Sequence, residues 1–208
     1  RGLRPHVVLP GGSVLVARTP ERVSLFKRIA SSAKAQGIDC ALISIKEAAD
    51  KYPVMRTDDL AGALWLPLDA KVNPADVTQA LARGARMGGA RIFEQTRVTA
   101  IHRRNGAVTG VATSRGDIKA EVVINCAGQW AKQVGRMCGV TVPLHSAEHM
   151  YIVTGKIDGV HPDLPVLRDP DGCLYVKEDA GKLLVGAFEP VAKPWGMLGI
   201  PESFCFDS

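Results

Sequence analysis

The stretch VVINCAGQWA, residues 122–131, constrains the fold more than any other part of the sequence. It begins with β-branched residues, which favour a strand, and residues 120–124 contain few polar positions. We therefore expect a strand covered on both faces, as in an α/β sheet. Two small residues, Ala127 and Gly128, follow at its carboxyl end. They fit either close packing of the next helix or close approach of a ligand to the main chain.

Three segments elsewhere carry the signals that begin and end a helix. Each has a capping residue or a proline at its start, and a glycine or proline near its end. A fourth helix is expected directly after the two small residues. The predicted helices are 20–36, 45–52, 74–88 and 129–138.

Short β-rich runs separate these helices, without internal repeats or low-complexity linkers. Asn105-Gly106 is a dipeptide typical of a hairpin turn. After about residue 140, further β-rich runs predict a meander of antiparallel strands, with its tightest turn at 169–172. The sequence therefore predicts a mixed fold of α/β and α+β character.

Composition argues against several classes of protein. Of the 208 residues, 46% are apolar, enough for the core of one compact domain or two small lobes. No apolar run approaches the roughly 20 residues of a membrane-spanning helix. We therefore expect no membrane partner. The basic residues behind the net charge of +5 are scattered, so we expect no nucleic-acid partner either. Five spaced cysteines without a CxxC pair favour a reducing compartment, either the cytoplasm or, in a eukaryote, the mitochondrial matrix.

The segment HSAEH, residues 145–149, matches the HxxEH pattern of a zinc peptidase. Chelation by two residues four positions apart requires a helix. Pro143 precedes the segment and a β-favouring run, 151–154, follows it, so we expect an extended backbone. His145 and His149 would then lie about 13 Å apart, at roughly 3.3 Å per residue. One zinc ion cannot bridge that distance, and we expect no metal site.

Several segments together resemble a known family. VVINCAGQWAKQVGRMCG is similar to the cofactor-closing segment of FAD-dependent amine oxidoreductases, within the D-amino-acid-oxidase-like flavoprotein superfamily. The resemblance is strongest to the dimethylglycine and sarcosine dehydrogenases. It extends along most of the chain, in the same order, through PGGSVLVARTPERV, NPADVTQALARGARMGGARIFEQTRVTAI, EHMYIVT and LPVLRDPDGCLYVKE.

The resemblance implies FAD as the cofactor, with the flavin beside the small-residue turn and the adenine against a neighbouring strand. The residues implied to contact FAD are Val98, Cys126, Ala127, Gly128 and Trp130. The family's GxGxxG turn would precede residue 1, and its closing flavin motif would follow residue 208. We therefore expect an internal fragment that, in isolation, binds FAD poorly or not at all.

The resemblance also implies two catalytic residues. His149 aligns with a histidine near the substrate amine in dimethylglycine-oxidising relatives, and Tyr175 aligns with a tyrosine on the facing strand. An imidazole and a phenol can bias protonation of an amine and orient its lone pair. Each residue also fits a purely structural role, as a hydrogen-bonded histidine and a half-buried tyrosine of a sheet.

Arg168 presents a further alternative. Its guanidinium matches the geometry of a substrate carboxylate. The next residue is Asp169, however, so a local ion pair at the turn is an equally good explanation.

The expected parent protein has two kinds of lobe. Residues 1–68 and 141–208 would belong to a substrate lobe with a mostly antiparallel sheet, and residues 69–140 to the returning part of a Rossmann-like flavin lobe. The expected reaction is oxidative demethylation of dimethylglycine or sarcosine, with formaldehyde or a folate-bound carbon as the one-carbon product. The alternatives are a non-catalytic relative, of the type that regulates pyruvate dehydrogenase phosphatase, and another flavin-dependent amine or amino-acid oxidase.

Overall fold

The computed structural model describes residues 8–204, which divide into two compact units. The first unit comprises the described residues through Gly88 together with His149–Val191. The second comprises Gly89–Glu148 together with the described residues from Ala192 onward. The assignment of these units to lobes of a larger protein stays a prediction.

Strands outnumber helices in the described residues. The strands are β1 (Val8–Pro10), β2 (Ser13–Ala17), β3 (Ala41–Ile43), β4 (Gly62–Leu66), β5 (Ala70–Val72), β6 (Val98–Arg104), β7 (Ala107–Thr113), β8 (Gly116–Lys119), β9 (Ser146–Ala147), β10 (Tyr151–Lys156), β11 (Val166–Asp169), β12 (Leu174–Asp179), β13 (Lys182–Ala187) and β14 (Pro194–Trp195). The helices are α1 (Pro20–Ala35), α2 (Ile45–Lys51), α3 (Pro74–Met87) and α4 (Ala131–Arg136), with a 3-10 turn at Gly128–Trp130 before α4.

A seven-stranded sheet forms the centre of the first unit. Its strand order is β10-β13-β12-β11-β2-β4-β3. Every neighbouring pair is antiparallel except β2 and β11, which are parallel. The antiparallel strands predicted after residue 140 are therefore confirmed, as is the mixed α/β fold. Only β11, β12 and β13 form a meander, however, because β10 pairs with β13 at the edge of the sheet.

Local capping explains where the helices begin. Thr19 accepts a hydrogen bond from the Arg22 amide, 3.1 Å away, and Pro20 starts α1. Ser44 and Glu47 form a reciprocal capping box at α2, and these hydrogen bonds lower the pKa of the Glu47 carboxyl. Asn73 caps α3. These three of the four predicted helices are confirmed to within one residue at each end, although α3 buries none of its side chains. The fourth, predicted at 129–138, is shorter: α4 comprises Ala131–Arg136 and follows a 3-10 turn.

Strand β2 is covered on both faces of the sheet. Val14 and Val16 pack on one face into a cluster that includes Tyr52 of the loop after α2. On the other face, Ala17 packs against Leu64 of β4 and Phe26 of α1. This alternation explains why four of the five residues of β2 are buried.

A buried ion pair joins two strands of the first unit. Lys71 Nζ donates to Glu178 Oε2 at 3.3 Å and to the Pro162 carbonyl at 2.7 Å, and both charged side chains are only 6% exposed. Burial opposes the charge of Glu178, but hydrogen bonds from the Gly181 amide and Lys71 outweigh it and lower its pKa. Burial, together with the negative charge of Glu178, raises the pKa of Tyr52 to about 12.

The second unit contains a three-stranded antiparallel sheet, β6-β7-β8, and a short β9–β14 pair. Asn105 and Gly106 both adopt positive φ, at 52° and 81°, as the predicted hairpin turn between β6 and β7 requires. No helix within residues 8–204 has the length and hydropathy needed to cross a membrane.

The strand predicted at 120–124 is wrong for the described structure. The backbone there is irregular, and Val122 and Ile124 are 74% and 80% exposed. A strand requires a neighbour to satisfy its backbone hydrogen bonds. The Ala120 amide donates to the Thr109 carbonyl of β7 at 3.2 Å, but none of the strands within residues 8–204 pairs with the rest of this segment, so Val122 and Ile124 stay uncovered.

The buried ion pair gives a stability test. Lys71→Met leaves the Glu178 charge buried without its cation, so we expect the free energy of unfolding to fall by about 3 kcal/mol. Lys71→Met combined with Glu178→Leu should recover much of that loss, because no buried charge is left unpaired. Urea unfolding measures the free energy of unfolding of both variants, and Lys27→Met, at an exposed position, is the control. If Lys71→Met leaves the free energy of unfolding unchanged, the ion pair does not contribute to stability.

Candidate functional site

Three aromatic rings form a cluster on the seven-stranded sheet of the first unit. The ring centroids of His149 and Phe188 lie 4.6 Å apart with 23° between their planes, which is a stacked arrangement. Tyr175 lies 6.0 Å from His149 and 5.5 Å from Phe188. The Tyr175 hydroxyl is 3.5 Å from His149 Nε2. The structure therefore brings together the two residues predicted to be catalytic; we call His149, Tyr175 and Phe188 the ring cluster.

The register of the sheet makes room for this cluster. Gly186 of β13 is the cross-strand partner of Tyr175 in β12. A Cβ atom at Gly186 would lie 2.3 Å from the Tyr175 ring, well inside van der Waals contact. Because the glycine has no side chain, the phenol ring can lie across β13.

Phe188 stacks on the imidazole of His149. His149 precedes β10, outside the strand ladder, and its contact with the Tyr175 hydroxyl is at the outer limit of a hydrogen bond. The stack on Phe188 is within the optimal range for paired rings. Phe188 follows β13, and its amide donates to the Cys173 carbonyl at 2.7 Å. Sequence reasoning missed Phe188 and Gly186, although a glycine two positions before an aromatic residue in a β-rich run was a usable signal.

A separate cavity of about 490 Å³ occurs in the second unit. Three of the five residues predicted to contact the cofactor line it, namely Val98, Ala127 and Trp130. Cys126 is exposed and does not line the cavity. Gly128 is exposed with φ of +51°, and no heavy atom lies within 4 Å of the place that a Cβ would occupy.

Local hydrogen bonds hold the small-residue turn beside this cavity. Asn125 Oδ1 accepts from the Ala127 amide at 3.2 Å, and its Nδ2 donates to the Ala131 carbonyl at 2.9 Å. One side chain thus links the entry of the turn to the first residue of α4. Sequence reasoning did not assign a role to Asn125, although asparagine before a small-residue turn commonly bonds to the backbone.

The cavity wall suits a flat ring. Phe204 also lines it, with its ring centroid 6.0 Å from that of Trp130. The charged residues in the lining, Arg97 and Glu202, pair with each other at 3.0 Å and are exposed to solvent. An apolar, aromatic wall fits a planar ring system such as part of a flavin nucleotide, but these residues supply little for its pyrophosphate.

The HSAEH segment has the extended backbone that the sequence predicts. Ser146 and Ala147 form β9, which pairs with β14. The helical spacing needed for two histidine ligands to one zinc ion is therefore absent from this segment.

Comparison with known proteins identifies the family of this chain. The family model described as FAD dependent oxidoreductase matches residues 2–203. The human mitochondrial sarcosine dehydrogenase is 37% identical over 206 residues, which cover 95% of this chain and 22% of that protein. The mouse mitochondrial pyruvate dehydrogenase phosphatase regulatory subunit is 38% identical over 186 residues, covering 88% and 21% respectively.

A solved structure supports the same conclusion for the fold. The L-proline dehydrogenase from P. horikoshii superimposes with a TM-score of 0.81 at 25% identity, over 89% of this chain and 50% of that one. The chain therefore spans about a fifth of the length of these curated relatives and half of the solved structure.

Gly186 provides a direct test of the ring cluster. We expect Gly186→Ala to displace the Tyr175 ring from His149 at a stability cost of about 1 kcal/mol, because the new Cβ overlaps the ring. Gly155→Ala is the matched control, since a Cβ at Gly155 meets no atom within 4 Å. Contacts between the two rings, measured by NMR, should disappear only in the Gly186 variant. Unchanged ring contacts in that variant would contradict this packing.

Proposed function

We propose, on the premise that this chain belongs to the FAD-dependent oxidoreductase family, that its parent protein is an amine dehydrogenase. The proposed reaction is oxidative demethylation of a small N-methylated glycine, either sarcosine or dimethylglycine. The observation that carries this proposal is the contact between His149 and Tyr175 on one face of the sheet. When bound, FAD would accept the hydride from the N-methyl carbon.

The ring cluster supplies groups suited to handling an amine. Oxidation requires a neutral nitrogen, because its lone pair must be available as the C–H bond breaks. The imidazole of His149 can accept a proton from the ammonium form, and the hydroxyl oxygen of Tyr175 can accept a hydrogen bond from that ammonium before the proton leaves. Stacking on Phe188 would keep the imidazole in one orientation while this occurs.

The second unit would supply part of the FAD site. The proposed contacts are Val98, Ala127 and Trp130 in the cavity wall, with Gly128 and Cys126 at the adjoining turn. Exposed Val122 and Ile124 support pairing of this segment with a strand from elsewhere in the parent protein, since that contact would cover them. The pyrophosphate would need groups other than those of the cavity wall, so we propose that this chain alone binds FAD weakly.

A second candidate function rests on the similarity to the pyruvate dehydrogenase phosphatase regulatory subunit. Its identity to this chain is as high as that of sarcosine dehydrogenase. The two proposals differ in what the parent protein does with an amine. A regulatory parent would show no amine-dependent reduction of flavin, whereas the dehydrogenase would.

The cavity yields a prediction about flavin content. Ala127→Trp would fill part of the cavity, and a clash of about 2 kcal/mol should weaken FAD binding by at least roughly tenfold. The flavin-to-protein ratio of the purified parent protein, measured by absorbance, should therefore fall. Ala90→Trp, at an exposed position, is the control and should leave the ratio unchanged. Full flavin content in the Ala127 variant would place FAD elsewhere.

The ring cluster yields a prediction about rate. His149→Ala should slow flavin reduction by N-methylglycine on the order of a hundredfold, and Tyr175→Phe by about tenfold, since each removes a group that acts on the amine. Stopped-flow absorbance of the parent protein measures these rates. His145→Ala, four positions earlier, is the control and should react normally. If the unaltered parent contains flavin, but neither sarcosine nor dimethylglycine reduces that flavin, the dehydrogenase proposal is wrong.

A further inference from the structure

A cavity of about 260 Å³ lies in the first unit, on the face of the seven-stranded sheet opposite the ring cluster. Tyr175 and Val176 are adjacent in β12, and adjacent residues of a strand point to opposite faces. Val176 lines the cavity, whereas Tyr175 belongs to the ring cluster. The cavity is therefore separated from the ring cluster by the sheet itself.

Most of the cavity lining is apolar. Valine and leucine side chains of β2, β11, β12 and β13 form the wall on the sheet. Val54, Met55 and Leu60, from the loop after α2, complete the apolar lining. A cavity of about 150 Å³ with a lining of this kind can hold benzene. The larger cavity in this chain therefore has room for a molecule of about ten non-hydrogen atoms.

The four charged residues of the lining pair with one another. Arg18 donates to Asp169 through Nε at 2.8 Å and Nη2 at 2.6 Å. Arg18 Nη1 donates to Asp59, which also accepts from Arg56 Nη2 at 3.3 Å. Two positive and two negative charges thus neutralise each other at the cavity. Because burying a further charge without a partner is unfavourable, this lining favours an uncharged occupant.

The hydroxyl of Tyr52 is the polar group of the lining that stays unpaired. Tyr52 lines the cavity and is only 1% exposed, and its hydroxyl has no hydrogen-bond partner among residues 8–204. Buried hydroxyl groups are normally hydrogen-bonded, because leaving one unpaired is unfavourable. Burial raises the pKa of Tyr52 to about 12, so the phenol keeps its proton at neutral pH and can donate it to an acceptor.

Water alone suits this cavity poorly. A buried water molecule needs two to four polar partners. The charged groups of the lining already bond to one another, and within the described part of the chain the Tyr52 hydroxyl is the buried polar side-chain atom of the lining without a partner. A molecule with an apolar body and one acceptor matches the lining better.

We propose that this cavity binds a small, uncharged, mostly apolar molecule whose carbonyl or hydroxyl oxygen accepts a hydrogen bond from Tyr52. The valine and leucine wall removes the apolar body of the ligand from water, and the phenol supplies its polar contact. This inference does not depend on the proposed amine dehydrogenase function. It involves none of the residues proposed to act on the amine or to contact FAD.

The test compares two probes of similar shape, acetophenone and isopropylbenzene, of which only acetophenone has an oxygen atom. The parent protein should bind both probes. Tyr52→Phe should weaken acetophenone binding about three- to tenfold, the loss expected for one hydrogen bond, and leave isopropylbenzene binding unchanged. Leu183→Trp should abolish binding of both probes, because the larger side chain fills the cavity. Leu68→Trp, at a position that is 78% exposed and outside the lining, is the matched control.

NMR of methionine methyl groups in the parent protein locates the bound probe. Met55 lines this cavity, whereas Met137 lines the cavity of the second unit. The Met55 signal, assigned with Met55→Leu, should shift during the titration, and the flavin absorbance should not change. The inference is wrong if neither probe shifts this signal, or if Leu183→Trp binds both probes as before. It is also wrong if Tyr52→Phe binds acetophenone with unchanged affinity. None of these outcomes would affect the proposed amine dehydrogenase function.

Discussion

The arrangement of the ring cluster depends on cross-strand register in the seven-stranded sheet. That register sets Gly186 opposite Tyr175, and the missing side chain lets the phenol lie across β13 toward His149. The same register places Arg168 on the other side of Tyr175. A shift of one residue would turn these side chains to the opposite face, which the apolar cluster around Val14 and Val176 occupies. The apolar core on one face therefore fixes the polar arrangement on the other.

The two units contribute different chemistry to the proposed enzyme. The first presents an imidazole, a phenol and a guanidinium on one face of its sheet. The second presents an apolar, aromatic cavity beside a turn held by Asn125. In the proposed enzyme, the first unit would contact the amine substrate and the second the planar ring of the cofactor.

Sequence reasoning succeeded where local interactions decide structure. Thr19, Ser44 and Asn73 set the helix starts within a few residues of themselves, and the hairpin at Asn105-Gly106 follows from backbone preference alone. It failed at 120–124, because burial of a strand depends on a distant partner. Gly186 and Phe188 were missed for a related reason, since their importance comes from pairing with residues far away in sequence. His149 and Tyr175 were predicted from family resemblance, which carries such long-range information; the structure brings their side chains together, and their catalytic role stays a prediction.

The most direct measurement is a crystal structure of the FAD-loaded parent protein with bound methoxyacetate, an analogue of N-methylglycine in which an ether oxygen replaces the nitrogen. We predict the ether oxygen within hydrogen-bonding distance of Tyr175 or His149, and the nucleotide in contact with Ala127. Inhibitor bound remote from the ring cluster, or a ring cluster covered by other parts of the parent, would contradict the assignment of this sheet face to the amine.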